Sequence, residues 1–183
     1  MEAAMNRKLT SLMVAAICMA AVGTVSAAGF FKIGEKAPTF TLTSINGETV
    51  SLESLKGKVV VLGLFHICEP CMIQGTNLQK VYEATKGKDV AVIGVNSAGN
   101  SKKDVSEFVA AFPVKVTYPY LLDPNKVTDK LYGGGKFIPN VYVIDQHGVI
   151  RWQRVGNMDL AGADVIIQEV EKLLASGGGS SKM

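Results

Sequence analysis

The stretch Val59-Val60-Val61-Leu62-Gly63-Leu64-Phe65-His66-Ile67-Cys68-Glu69-Pro70-Cys71 constrains this chain more than any other. From Val59 to Phe65 it is apolar without alternation, the pattern of a strand buried on both faces. After Cys71, apolar positions Met72, Gly75, Leu78, Val81 and Tyr82 recur at three- and four-residue spacing, which predicts a helix over roughly Pro70 to Lys86, stopped by Gly87. The two cysteines therefore fall where a strand gives way to a helix. Free N–H groups and the positive dipole end of that helix stabilise a thiolate on Cys68, the expected nucleophile. Cys71 lies about one turn further on, within reach of Cys68, so the pair can cycle between dithiol and disulfide. Pro70 sets φ in the first turn, where no backbone hydrogen bond is lost.

Glu69 places a negative charge beside Cys68. It opposes the thiolate and leaves the dithiol form less stabilised, which predicts a reducing couple. Other uses of the pair fit less well. Haem attachment needs a His directly after the second Cys, and Met72 stands there. Zinc needs four ligands, and Cys68, Cys71, His66 and His147 follow no recognised zinc spacing. A purely structural bridge would close a tiny loop and stabilise little.

Arg7 and Lys8 precede an apolar run from Leu9 to Val22, followed by small residues through Ala27 and Ala28. Residues 1–28 read as a secretory signal peptide, cleaved near Ala27 or Ala28, with a retained membrane anchor as the alternative. Cys18 lies inside that run and would leave with it. Export places Cys68 and Cys71 in an oxidising compartment, where a reducing thiol must be resupplied with electrons by a partner. The chain of 183 residues fits one domain, expected over residues 29–176 with a disordered tail at 177–183. A net charge of +3, with lysines scattered and no aromatics between them, points to no nucleic-acid partner.

Phe40 to Thr43 and Val50 to Leu52 flank Asn46-Gly47, which predicts an amino-terminal β-hairpin. Asp89 to Val95 reads as a second buried strand. Val105, Phe108, Val109 and Phe112 form a helical stripe after a cap at Asn100 or Ser101, closed by Pro113. Tyr118 to Leu122 predicts a short strand, Lys126 to Tyr132 a brief helix, and Gly133-Gly134-Gly135 a connection without the features of a phosphate loop. Asn140 to Ile144 and Val149 to Val155 flank the polar turn Asp145-Gln146-His147-Gly148 as a hairpin, with His147 a solvated turn residue. Ile166, Ile167, Val170, Leu173 and Leu174 make the last helix amphipathic. Alternating strands and helices imply parallel pairing with right-handed crossovers.

Four segments now carry a family likeness: Gly34-Glu35-Lys36-Ala37-Pro38-Thr39-Phe40, Leu55-Lys56-Gly57-Lys58, Cys68-Glu69-Pro70-Cys71 and Ile138-Pro139-Asn140. In this order the chain resembles exported thioredoxin-fold thiol–disulfide oxidoreductases of the TlpA/ResA type, and the opening segment is shared with peroxiredoxins. The resemblance implies an α/β thioredoxin-like fold, a central mixed sheet flanked by helices, carrying the amino-terminal hairpin as an extension. It also implies a cis Ile138–Pro139 bond beside the dithiol, with exposed backbone suited to an extended substrate. Three positions depart from the family pattern. Ile67 replaces a Trp, Gln74 a Glu found in some reducing members, and Leu62 a buried polar residue. No carboxylate base is then evident near Cys71. His66, whose free pKa lies near neutrality, is a candidate proton shuttle.

The expected activity is reduction of disulfides in exported proteins, for example apocytochrome c during cytochrome c maturation. Electrons would come from a membrane thiol carrier, with no cofactor besides the Cys68–Cys71 disulfide. Glu69, Pro70, His66, Ile138 and Pro139 would support the site, and no metal is expected. The alternatives are a thiol peroxidase, for which no Pro-x-x-x-Thr/Ser-x-x-Cys precedes either sulfur, and a copper chaperone using both cysteines as soft ligands.

Overall fold

The computed structural model describes residues 33–133, 136–156, 158–159 and 161–177. The expected signal peptide, Cys18, Gly134, Gly135 and residues 178–183 lie outside them. Seven strands form one sheet in the order β2-β1-β5-β4-β3-β6-β7. They are β1 (Thr41–Ser44), β2 (Thr49–Ser51), β3 (Val59–Phe65), β4 (Val90–Asn96), β5 (Tyr120–Leu122), β6 (Asn140–Ile144) and β7 (Ile150–Val155). The helices are α1 (Glu69–Ala84), α2 (Lys102–Ala110), α3 (Val127–Leu131) and α4 (Gly162–Gly177).

All seven residues of β3 are buried, which is the cause of its unbroken apolar run. Its odd positions Val59, Val61 and Phe65 join Leu78 and Val81 of α1, Val105 and Phe108 of α2, and Ile166 and Val170 of α4 in one cluster. Its even positions Val60, Leu62 and Leu64 join Phe40, Leu121, Tyr132 and Tyr142 on the other face. Strands β3, β4 and β5 run parallel. On the other side β6 and β7 follow as the antiparallel hairpin that the polar turn predicts.

The amino-terminal hairpin forms as expected, but it is part of the main sheet. Strand β1 pairs antiparallel with β5 as well as with β2, so the hairpin extends the edge instead of standing apart. Strand β5 begins at Tyr120, later than the apolar run suggested. Tyr118 instead turns its hydroxyl into the core, donating to Gly75 O at 3.1 Å, and Pro119 has no N–H to give a ladder. Helix α4 continues through Ser176 to Gly177, so Gly177, expected in the tail, is helical.

Ser101 caps α2 as predicted: its side chain accepts from Asp104 N at 3.2 Å. The short α3 has a different start. Lys126 sits in the left-handed region at φ 53°, and the buried Asp123 carboxylate accepts from Val127 N at 2.8 Å and Thr128 N at 2.6 Å. Asp123 thus supplies the cap from upstream, and α3 is fastened to the end of β5.

Helix α1 carries a glycine where helix propensity favours almost anything else. A Cβ at Gly75 would overlap the Phe112 ring and lie 3.2 Å from the Tyr118 hydroxyl, so close approach of these rings requires glycine. Gly75→Ala is therefore expected to destabilise the fold by about 1–3 kcal/mol through overpacking, despite the helix-propensity gain. Urea unfolding checks this by a lower midpoint at unchanged slope, and a raised midpoint would contradict the packing described.

Candidate functional site

The C-terminal end of β3 delivers the chain into α1 across the two cysteines, as the sequence pattern required. Cys68 is the N-cap residue of α1, with extended backbone, and Glu69 and Pro70 form the first turn. The cysteines are joined as a disulfide with Cα atoms 5.2 Å apart. Two backbone donors face the sulfurs. Cys71 N–H donates to Cys68 Sγ at 3.3 Å, and His66 N–H donates to Cys71 Sγ at 3.4 Å. Such donors stabilise a thiolate on either sulfur once the bond is reduced.

The sulfurs are not equivalent. Cys71 has no exposed surface and packs in the cluster with Phe65 and Leu78, whereas Cys68 is only partly buried. An external thiol or disulfide can therefore reach Cys68 and not Cys71. Ile67, immediately before it, is 42% exposed and offers an apolar surface at the reactive sulfur, smaller than the Trp expected from the family pattern. Glu69 and Pro70 are exposed on the outer side of the same turn.

The loop before β6 reaches the same end of the sheet, because Asn140 pairs with Leu64 near the end of β3. The Ile138–Pro139 peptide bond is cis, and Ile138 packs against both apolar clusters. His147 is elsewhere. It lies in the β6–β7 turn at the opposite end of the sheet, where its N–H and that of Val149 donate to Asp145 Oδ1, each at 2.9 Å. A cavity of about 160 Å³ opens there too, lined in part by Lys36, Leu52, Lys56 and His147, remote from the sulfurs. Among the described residues no three or more His, Cys, Asp or Glu side chains converge as metal ligands.

The chain matches known proteins over most of its length. The AhpC/TSA family matches residues 33–153. The chain belongs to that family. Within it, the thiol–disulfide oxidoreductase ResA of Bacillus thuringiensis is 30% identical over 82% of this chain and 89% of its own. The thioredoxin-like protein YneN of Bacillus subtilis is 34% identical over 68% of this chain and 72% of its own. Among solved structures, a provisionally assigned thiol:disulfide interchange protein DsbE of Chlorobium tepidum superposes with a TM-score of 0.68. It is 29% identical and the match covers 78% of this chain and 98% of that one. The chain is accordingly a thioredoxin-like thiol–disulfide oxidoreductase, the fold and enzyme class expected from the sequence.

Two features of this AhpC/TSA member escape the sequence. Gln74, one turn beyond Cys71, is completely buried, and neither its Nε2 nor its Oε1 has a hydrogen-bond partner among the described residues. The helical spacing showed its register but not the absence of partners, which depends on what packs opposite. His66 is the other. Its Nε2 is shut away without a hydrogen-bond partner among the described residues, as is Oδ1 of Asp129 on α3. Burial pulls the imidazole below its usual pKa, Asp129 pulls the other way, and Lys126 adds to the lowering. No sequence spacing links His66 to α3.

An unpaired buried amide costs about 1–3 kcal/mol per group relative to a solvated one. Gln74→Leu keeps similar volume and removes both groups. It is expected to raise stability by about 1 kcal/mol or more. The denaturant midpoint of the oxidised protein measures it, and a loss of stability would show that Gln74 has a partner in solution.

Proposed function

We propose that this oxidoreductase works in the reducing direction, as an exported protein-disulfide reductase. The observation that carries the reading is the asymmetry of the pair: Cys68 accessible at the start of α1, Cys71 buried behind it with a backbone N–H on its sulfur. Reduced Cys68 attacks a disulfide in a partner protein, and one partner sulfur departs as a thiolate that takes up a proton. Cys71 then attacks Cys68 Sγ, releases the second partner thiol and closes the Cys68–Cys71 bond. Two electrons leave the dithiol and two thiols appear on the partner. Burial of Cys71 confines its reaction to the mixed disulfide.

Glu69 supports the direction, since its charge in the first turn of α1 disfavours the Cys68 thiolate and hence the dithiol. The amino-terminal signal-like segment supports export. An exported dithiol in an oxidising compartment must be resupplied with electrons, and a separate membrane thiol carrier would supply them. The resemblance to ResA-type chains supports apocytochrome c as one substrate, its paired cysteines needing reduction before haem is attached.

Two measurements test the reading. Equilibration with defined thiol buffers is expected to give a potential at or below about −270 mV, and a value near about −120 mV would make the protein an oxidant instead. Cys71→Ser is expected to accumulate a mixed disulfide through Cys68 when given a disulfide-bonded protein, whereas Cys68→Ser traps none. Trapping by Cys68→Ser, read on non-reducing gels, would reverse the assigned roles.

A further inference from the structure

Ile138 leads the chain into β6 at the end of the sheet that carries the cysteines, and it is partly exposed there. It packs against both apolar clusters, one of which contains Cys71 and borders Cys68. What holds it in place lies on the other face of the sheet. Side chains alternate along β6, so Asn140 and Tyr142 share a face, and the register sets Gln153 of β7 opposite Tyr142. Their polar ends meet. The Tyr142 hydroxyl accepts from Asn140 Nδ2 at 2.9 Å and from Gln153 Nε2 at 3.0 Å, and it donates to Tyr132 O at 3.4 Å. Gln153 Nε2 gives its other hydrogen to Asn140 Oδ1 at 3.2 Å. Burial pushes the Tyr142 phenol up to about 12, so it stays protonated and keeps a hydrogen to give.

One hydroxyl thereby joins two places in the chain. Tyr132 is the C-cap of α3, and Asn140 is the first residue of β6. Tyr132 is itself held, by its hydroxyl on Pro38 O at 2.6 Å and by its ring set edge-on to Tyr142 with centroids 5.2 Å apart. On the β7 side, Pro139 O accepts from Gly156 N at 2.8 Å. A phenylalanine at position 142 would fill the same apolar space. The buried hydroxyl and amides gain little net stability over such a side chain, but their bonds fix one arrangement of the residues on either side of Ile138.

We propose that Tyr142 is a positioning residue for partner recognition: through Asn140 and Tyr132 it holds Ile138 where an extended segment of a partner protein lies against it while the partner's sulfur reaches Cys68. Tyr142 belongs to the cluster on the face away from the sulfurs and acts only through its neighbours. The proposal rests on Cys68 being the attacking thiol and not on the direction of electron flow. Sulfur exchange at Cys68 is the same reaction for a large and a small disulfide, and only the large one lies along Ile138. Loss of the hydroxyl therefore weakens capture of a polypeptide and leaves the exchange step unchanged.

The experiment uses the Cys71→Ser protein and a peptide whose single cysteine is capped as a thionitrobenzoate disulfide. The Cys68 thiolate attacks the peptide sulfur, the bond to the cap breaks, and coloured thionitrobenzoate leaves with the electron pair as the Cys68–peptide disulfide forms. Peptide mass spectrometry confirms attachment at Cys68. Cysteine amide capped in the same way is the small comparison. Adding Tyr142→Phe is expected to raise the half-saturating peptide concentration about three- to tenfold, with the limiting rate within about twofold and the rate with capped cysteine amide unchanged. Ile138→Ala is expected to raise it likewise. Gln153→Leu, at a partly exposed position, is expected to act in the same direction by less, and it carries the test if Tyr142→Phe does not fold. An unchanged half-saturation in Tyr142→Phe or, where that variant does not fold, in Gln153→Leu would overturn the proposal. Equal slowing with capped cysteine amide, or no effect of Ile138→Ala, would overturn it too. Failure of capped cysteine amide to react with the Cys71→Ser protein would overturn the role of Cys68 as well, which separates that reading from this one.

Discussion

Burial of β3 on both faces is the constraint on which the site depends. Each of its large side chains contributes about 1.5–3 kcal/mol when removed from water, and Val60, Leu62 and Leu64 pack on one face while Val61 and Phe65 pack on the other. A slip by one residue would exchange the two sets between differently shaped clusters, so the register of β3 against β4 and β6 is strongly held. That register fixes where the strand ends, and so where α1 begins. The helix-end electrostatics that favour a thiolate are smaller, about 0.3–1 kcal/mol. They tune the chemistry at a place that hydrophobic packing has already chosen.

The same packing divides the two sulfurs. Cys71 falls on the face of α1 that carries Leu78 and packs with Phe65, and Cys68 falls at the cap, where it only borders that cluster. Chemical asymmetry in the pair thus comes from helical periodicity near its first turn: three residues are enough to carry one sulfur from the surface into the core. Polar residues follow on the same helix. Gln74 sits in the core without partners, while Asn77 donates to Asp159 O at 2.9 Å and Gln79 accepts from Thr117 N at 2.8 Å. The first weakens the fold and the other two tie α1 to its neighbours.

Much of the core architecture was legible in the chain because its signals are local. An unbroken apolar run, a 3.6-residue stripe and an Asn-Gly turn each report on neighbours only a few residues away, and β3, α1 and the β1–β2 hairpin follow them. Tyr118 was misleading for a physical reason. A tyrosine beside apolar residues suits a strand, but its hydroxyl found an acceptor on α1, and Pro119 removed the ladder donor. Docking of the hairpin onto β5 was equally hidden, since edge pairing depends on which strand edge is left open after the centre has formed.

The sequence by itself determined the redox pair and its position at a strand-to-helix junction, and its motifs carry the family resemblance. The first two properties need only spacing and local pattern. Tertiary structure decided which sulfur is accessible, that Gln74 is buried without a partner, and that His66 shares its surroundings with Asp129 and Lys126. Burial and through-space charge are set by residues distant in the chain, brought together when β3 and β5 align in one sheet. No local pattern can encode them.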